Sequence, residues 1–195
     1  MSASKAGFQP AGRAPAPPPL DLVQDFVNTE IPEWARDDIA TPEELAAWLH
    51  ARGLLDERDV VSADGFVAAR SLRAVLRGLA LANTLGEAPE AQLRRAFDRA
   101  VAVSLLRFEL DWDGRLVLVP DAARDGAARA LGAILVRVLE AQASGAWSRL
   151  KACRKESCGW LFYDGSRNAS SRWCSMAICG NRTKTAAYRR RKQSS

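Results

Sequence analysis

A chain of 195 residues with 48% hydrophobic content has room for one ordinary domain and a small appendage. No apolar run approaches the ~18 residues that a membrane-spanning helix requires, so none is expected. The net charge of +5 conceals a division, with residues 151–195 at +9 and the first 150 at −4, so affinity for polyanions is concentrated in the last quarter of the chain.

Residues 1–19 hold five prolines (Pro10, Pro15, Pro17, Pro18, Pro19) among Ala, Gly and Ser. This composition reads as a flexible leader, because it buries too little apolar surface to offset the entropy of ordering. Met1 to Leu20 has no continuous apolar stretch of the secretory type, so a soluble, cytoplasmic protein is expected. From Leu20, the residues Leu22, Val23, Phe26 and Val27 recur at helical spacing and predict a short helix ending near Asn28 or Thr29. Pro32 prevents its simple continuation.

Thr41-Pro42-Glu43-Glu44 is a helix start, with Thr41 as N-cap, Pro42 in the first turn and Glu44 at the capping-box position. Leu45, Trp48 and Leu49 form its apolar stripe, and Gly53 stops it. His50, the one histidine, reads as structural or solvent-facing. Ser62 caps a longer helix in which Phe66, Ala69, Leu72, Val75, Leu76 and Leu79 face inward, with Arg70, Arg73 and Arg77 largely facing out. Residues 83–89 break it. Leu93, Ala96, Phe97, Ala100, Val101 and Leu105 predict a fourth amphipathic helix.

The period then switches. Leu106, Phe108 and Leu110 alternate, as do Leu116 and Leu118, around Asp111-Trp112-Asp113-Gly114, a hairpin signature that Pro120 closes. A last long helix is expected from about Asp121 to Ala143, with Leu131, Ile134, Leu135, Val138 and Leu139 as its stripe, and Gly145 marks a boundary. Residues 20–145 therefore read as a mainly α domain with one β-hairpin, an α+β class, followed by a small C-terminal four-cysteine domain at residues 146–195.

All four cysteines lie in that last segment. Cys153 and Cys158 form one C-x4-C unit, Cys174 and Cys179 another. Two loops with two sulfurs each can fill the corners of one tetrahedron, which points to a zinc ion and to a structural site with no position left for water. Two disulfides, or unrelated thiols, are the competing readings; the first needs an oxidising compartment, the second a less polar setting. Residues 146–195 have few apolar side chains, and metal binding supplies the missing folding energy. Between the pairs, Gly159 to Tyr163 reads as a strand with Asp164-Gly165 as a turn, and Trp173 as cover for the metal. Gly180 suits a positive φ, and Asn181 can cap a following basic helix.

That helix would present Lys184, Arg189, Arg190, Arg191 and Lys192, which together with Arg172, Asn181 and Arg182 are the candidate nucleic-acid contacts. A basic tail without selectivity for its polyanion is the alternative. Aromatic side chains in the segment can pack or stack on bases.

The run from Cys153 through Cys158-Gly159-Trp160-Leu161-Phe162, Asp164, Ser166-Arg167-Asn168, Arg172-Trp173-Cys174-Ser175-Met176 and Cys179-Gly180-Asn181-Arg182 resembles the CGNR-type zinc finger, a family that uses this four-residue spacing. Asp25-Phe26-Val27-Asn28-Thr29, Leu45, Trp48-Leu49 and Gly53-Leu54-Leu55 are similar to the ABATE domain of stress-induced transcription regulators, which usually precedes this finger. The resemblance implies a bacterial DNA-binding regulator with the four cysteines as zinc ligands and with a first domain that receives a small-molecule or protein signal or forms a homodimer. Asn181 and Arg182 carry over as structural or DNA-facing positions. The alternative function is a zinc-scaffolded protein-interaction module. The chain is not expected to be an enzyme: Asp25, Glu30, His50 and Arg70 would have to converge, and there is no nucleophile motif, phosphate loop or open metal site.

Overall fold

The computed structural model describes residues 9–102, 104–121 and 126–181. Its spine is α3 (Ala63–Leu85), whose 23 residues span about 34 Å. Ser62 caps it by accepting a hydrogen bond from the Gly65 N–H at 3.1 Å, and Gly86 ends it at φ +72°. Ala69, Leu72, Leu76 and Ala80 are fully buried along one face. Against them pack α1 (Leu20–Val27), α2 (Pro42–His50), α4 (Ala91–Val101) and α5 (Gly126–Ala143). The first residues of the expected last helix, 122–125, lie outside the described residues.

Local chemistry accounts for the starts and stops. Thr41 Oγ accepts from the Glu44 N–H at 3.2 Å while Glu44 Oε2 accepts from the Thr41 N–H at 3.1 Å, a full capping box on α2. Trp48 on α2 meets Phe26 on α1 at 5.7 Å between ring centroids. His50 Nδ1 lies 2.9 Å from the Leu55 carbonyl, a structural role.

Among the described residues three two-stranded antiparallel ribbons join the helices, where the sequence predicts one hairpin and a lone strand. β1 (Glu30–Ile31) pairs with β2 (Arg36–Asp37), β3 (Leu106–Leu110) with β4 (Leu116–Pro120), and β5 (Leu150–Ala152) with β6 (Leu161–Tyr163). In the β3–β4 turn Asp111 Oδ1 accepts from the N–H groups of Asp113 and Arg115, and Gly114 takes φ +75°. The base of this hairpin rests on α5, where a Cβ at Gly132 would lie 3.2 Å from Leu106 and Pro120. Its tip does not pack: Phe108, Leu110, Trp112 and Leu116 are all exposed.

The main core runs past residue 145. Leu150, Ala152 and Leu161 are buried with Val23, Leu76 and Leu131 in one cluster, while Ile31, Trp160 and Phe162 surround the cysteines in a second, with Trp173 packed against it. Residues 9–19, expected to be a flexible leader, lie against this surface with Gln9, Pro10 and Ala16 buried. Polar side chains, which composition discounts, fix them there: Ala16 N–H donates to Gln24 Oε1 at 2.7 Å, and Trp160 Nε1 donates to Gln9 Oε1 at 3.1 Å.

Two arginines expected on the outer face of α3 also turn inward. Arg73 is 1% exposed and donates to both Asp37 carboxylate oxygens at 2.6 and 2.7 Å and to Thr29 Oγ1 at 3.1 Å. Arg77 donates to Glu30 Oε2 at 2.5 Å, to the carbonyls of Val27 and Glu30 at 2.9 Å and to that of Gly159 at 3.2 Å. The two-residue strands β1 and β2 supply the carboxylates that make this burial tolerable. Leu105 and Leu139, expected in helix cores, are exposed instead: Leu105 falls beyond the end of α4, and Leu139 lies off the buried stripe of α5.

Burial acts to raise the Asp37 pKa, but the Arg73 and Ile39 hydrogen bonds and the charges of Arg73 and Arg70 outweigh it and hold the carboxyl below its ordinary value. A depressed carboxyl pKa stabilises the fold above its unfolded value of about 3.9, and that contribution disappears as pH falls through the folded value. Arg73→Met should destabilise by roughly 3 kcal/mol at pH 7, the low end for breaking a buried pair because Asp37 keeps some access to water. Denaturant midpoints measured between pH 7 and 3 should show the gap between wild type and variant narrowing toward pH 3; a gap constant across that range contradicts the pair.

Candidate metal centre

The first cysteine pair is presented by the β5–β6 ribbon. Cys153 follows β5 directly, and its N–H donates to the Trp160 carbonyl at 2.8 Å, extending the ladder. The chain turns back at Cys158, whose N–H donates to the Lys155 carbonyl at 2.8 Å, and Gly159 takes φ +61°. A side chain at Gly159 would be strained by that φ and would lie 3.2 Å from Arg77 Cδ.

The second pair sits on a separate loop. Cys174 is followed by a single π-helical turn, Met176–Gly180, which Ser175 Oγ caps by accepting from the Ile178 N–H at 3.2 Å. The Cys179 N–H donates to the Ser175 carbonyl at 2.9 Å. Gly180 does not have the positive φ expected for it. Its need is space, since a Cβ there would lie 3.3 Å from Trp173 Cδ1 and 2.7 Å from Met176 Sδ.

The four Sγ atoms lie within 4.8 Å of one another, all four residues are buried, and none is joined in a disulfide. Cys158 and Cys174 are 3.7 Å apart, Cys174 and Cys179 3.6 Å. Four sulfurs each about 2.3 Å from a tetrahedral zinc are about 3.8 Å from one another, so the donor set has the size that zinc requires. A disulfide brings sulfurs to about 2.05 Å.

The donor chemistry agrees. By themselves the thiols divide their charge unequally: hydrogen bonds from Cys158 and Cys174 pull the Cys153 pKa down to about 2. The same bond to Cys153 pushes Cys158 up to about 12, and bonds to Cys153 and Cys158, with burial, push Cys174 far above the ordinary thiol range. Burial, then the charge on Cys153, raises Cys179. Four adjacent thiolates need a divalent cation among them. The site fits one structural zinc held by Cys153, Cys158, Cys174 and Cys179; bound there, zinc supplies folding energy and has no vacant position for substrate or water.

Between the pairs, the loop after β6 is built around a buried ion pair that sequence reasoning missed. Lys151, 4% exposed, donates to Asp164 Oδ2 at 3.0 Å and also to the Ala169 carbonyl. Asp164, 0% exposed, accepts from the hydroxyls of Ser166 at 2.7 Å and Ser171 at 2.9 Å and from the Ser171 N–H at 2.8 Å. Burial works against the Asp164 charge, but the bonds from Ser166, Lys151 and Ser171 outweigh it and hold the carboxyl well below the usual carboxylate range. The Asp-Gly turn signal was legible in the sequence, and the buried lysine was not.

That pairing also changes which cations face outward. Lys151 is buried, and Lys155 pairs with Glu33. Arg154, Arg167, Arg172 and Asn181 are exposed, and the Arg154 N–H donates to the Arg172 carbonyl at 2.9 Å, joining the two metal loops. Of the other candidate nucleic-acid contacts, Arg182, Lys184, Arg189, Arg190, Arg191 and Lys192 lie outside the described residues. The residues a catalytic pocket would have to bring together are engaged separately: Asp25 with Arg52, Glu30 with Arg73 and Arg77, His50 with Leu55, and Arg70 over the Phe66 ring. Among the described residues no helix is long and apolar enough to cross a membrane.

Purified protein should contain about one zinc per chain, and Cys174→Ser should lose it, because three sulfurs leave the tetrahedron open to exchange. Metal analysis of both proteins reads this; a wild type with neither metal nor reactive thiols contradicts it.

Comparison with known families agrees with this site. The CGNR zinc finger model matches residues 149–192, and the ABATE model, described as a putative stress-induced transcription regulator, matches residues 20–144. No curated protein matches the chain at a significant level. With the ABATE match covering more than half of its length and the finger following directly, the chain belongs to the ABATE family and carries a CGNR zinc finger.

Proposed function

We propose that this protein is a transcription regulator that binds DNA through residues 146–195, while residues 20–145 receive a signal or a second subunit. The observation that carries this reading is charge placement. Residues 151–195 have a charge of +9 before metal, and the cations that their described part leaves exposed, Arg154, Arg167 and Arg172, belong to the metal loops and the segment between them. The sequence places Arg182, Lys184, Arg189, Arg190, Arg191 and Lys192 immediately after the last cysteine. Zinc would act indirectly, by fixing the loops that hold these cations, and phosphate contacts would dominate affinity. The families describe a regulator and a zinc finger rather than an enzyme, in keeping with a closed metal site.

A second reading, an interaction module, has its own observation. The β3–β4 tip exposes Phe108, Leu110, Trp112 and Leu116 on a ribbon that pairs with no third strand among the described residues. We infer a second copy of the chain as the occupant, since pairing β3 with its own mate would satisfy the open edge and lay Phe108 and Leu110 against apolar partners. Retention of a partner after nuclease treatment supports this reading.

Affinity for duplex DNA, followed across a salt series, tests the first. With about six phosphate contacts the slope of log affinity on log salt should be near −5. Chelation should abolish binding, and Arg154→Glu with Arg172→Glu should weaken it at low salt on any duplex sequence. Affinity insensitive to both salt and chelator contradicts the proposal.

A further inference from the structure

The second metal loop is held from outside by a residue 161 positions away. Arg13 donates from Nε to the Cys174 carbonyl at 3.2 Å, from Nη2 to the Trp173 carbonyl at 3.3 Å and from Nη1 to the Tyr163 carbonyl at 3.3 Å. Its guanidinium lies over the Phe162 ring, 4.6 Å from the centroid. One planar fork thus ties β6 to the peptide groups on both sides of Cys174.

The segment that carries Arg13 is shaped for this. Ala11 at φ +59° and Gly12 at φ +67° are two successive left-handed residues that turn the chain just before it, and for Ala11 that conformation is unfavourable. Gln9, accepting from Trp160 Nε1, and Ala16, donating to Gln24, pin the segment on either side of the arginine. Gln24 in turn donates to the Leu161 carbonyl at 3.2 Å. These strap residues precede the first residue of the ABATE match.

The two cysteine pairs differ in their support. Cys153 is fixed by the β5–β6 ladder, whereas the loop at 172–174 joins no strand and is reached by the Arg154 N–H at one end and by Arg13 at the other. Four thiolates around a divalent ion also leave a double negative charge, and Arg13 brings a cation to the main chain of one ligand.

We propose that Arg13 is a positioning residue of the zinc centre, and that the N-terminal strap it belongs to sets how tightly the finger retains its metal. Groups that orient metal ligands typically account for about 10–100-fold in affinity. The inference rests on the zinc site, which the metal content of the wild type tests separately.

The experiment is competition for zinc between the full-length chain and a chromophoric chelator, with the unfolding midpoint recorded in excess zinc as a control. Arg13→Ala should lower zinc affinity about 10–100-fold and speed release, with a midpoint in excess zinc close to wild type. Arg13→Lys keeps the charge but not the fork and should fall between the two. Arg13→Ala retaining zinc within twofold of wild type overturns the proposal, as does a variant whose midpoint falls while zinc retention does not. If Arg13→Ala does not fold even in excess zinc, Arg13→Lys decides, and wild-type retention in that variant overturns the proposal.

Discussion

Everything in the finger depends on how the open edge of β6 is satisfied. A two-stranded ribbon is marginal by itself, and a buried edge with unpaired N–H and C=O groups costs more than the ribbon gains. Here Asn28, at the end of α1, supplies both missing partners: its Oδ1 accepts from the Leu161 N–H at 2.8 Å and its Nδ2 donates to the Leu161 carbonyl at 2.9 Å. A side-chain amide thus stands where the main chain of a third strand would be. With that edge closed, Leu161 is buried in the main core and Phe162 faces the cysteine cluster.

The same device recurs around the finger. Asn83 donates to the carbonyls of Trp147 and Leu150, Thr84 to Ala152, Arg77 to Gly159, and Arg13 to Tyr163, Trp173 and Cys174. The helical layer and the strap therefore hold the finger by its main chain. Such contacts tolerate change in the finger's own side chains and demand specific polar residues on the helices. They also join the finger to the helices mechanically: the Cys174 loop is tied to Arg13 in the strap, which Gln24 of α1 holds at Ala16, while β5, β6 and Gly159 are held directly from α1 and α3. The domain we propose to receive a signal and the segment we propose to meet DNA are physically connected in this layer.

The cysteines, the capping box at Thr41, the Ser62 cap and the Asp-Gly hairpin were legible in the sequence because each is a local pattern with one good geometric solution. So was the α+β class, because the stripes on α1, α3 and α5 recur at helical spacing. Arg73 and Arg77 were not legible, since their burial depends on carboxylates from β1 and β2, strands of two residues that leave no periodic trace. The strap was hidden by composition. A proline-rich segment with little apolar surface reads as unordered, yet Gln9 and Arg13 order it through carbonyl and indole partners about 150 residues away. Charge counting likewise overstated the exposed cations of the finger, because Lys151 is consumed in building the loop that Asp164 organises.

Zinc finger and helical layer, joined at Leu161 and Asn28, should unfold as one unit. Native-state hydrogen exchange resolved by residue tests it most directly. The Leu161 amide and the amides of the buried stripe of α3 should open with the same free energy, and chelation of zinc should lower both together. A finger whose amides exchange far faster than those of α3, with α3 unchanged when zinc is removed, would contradict the account.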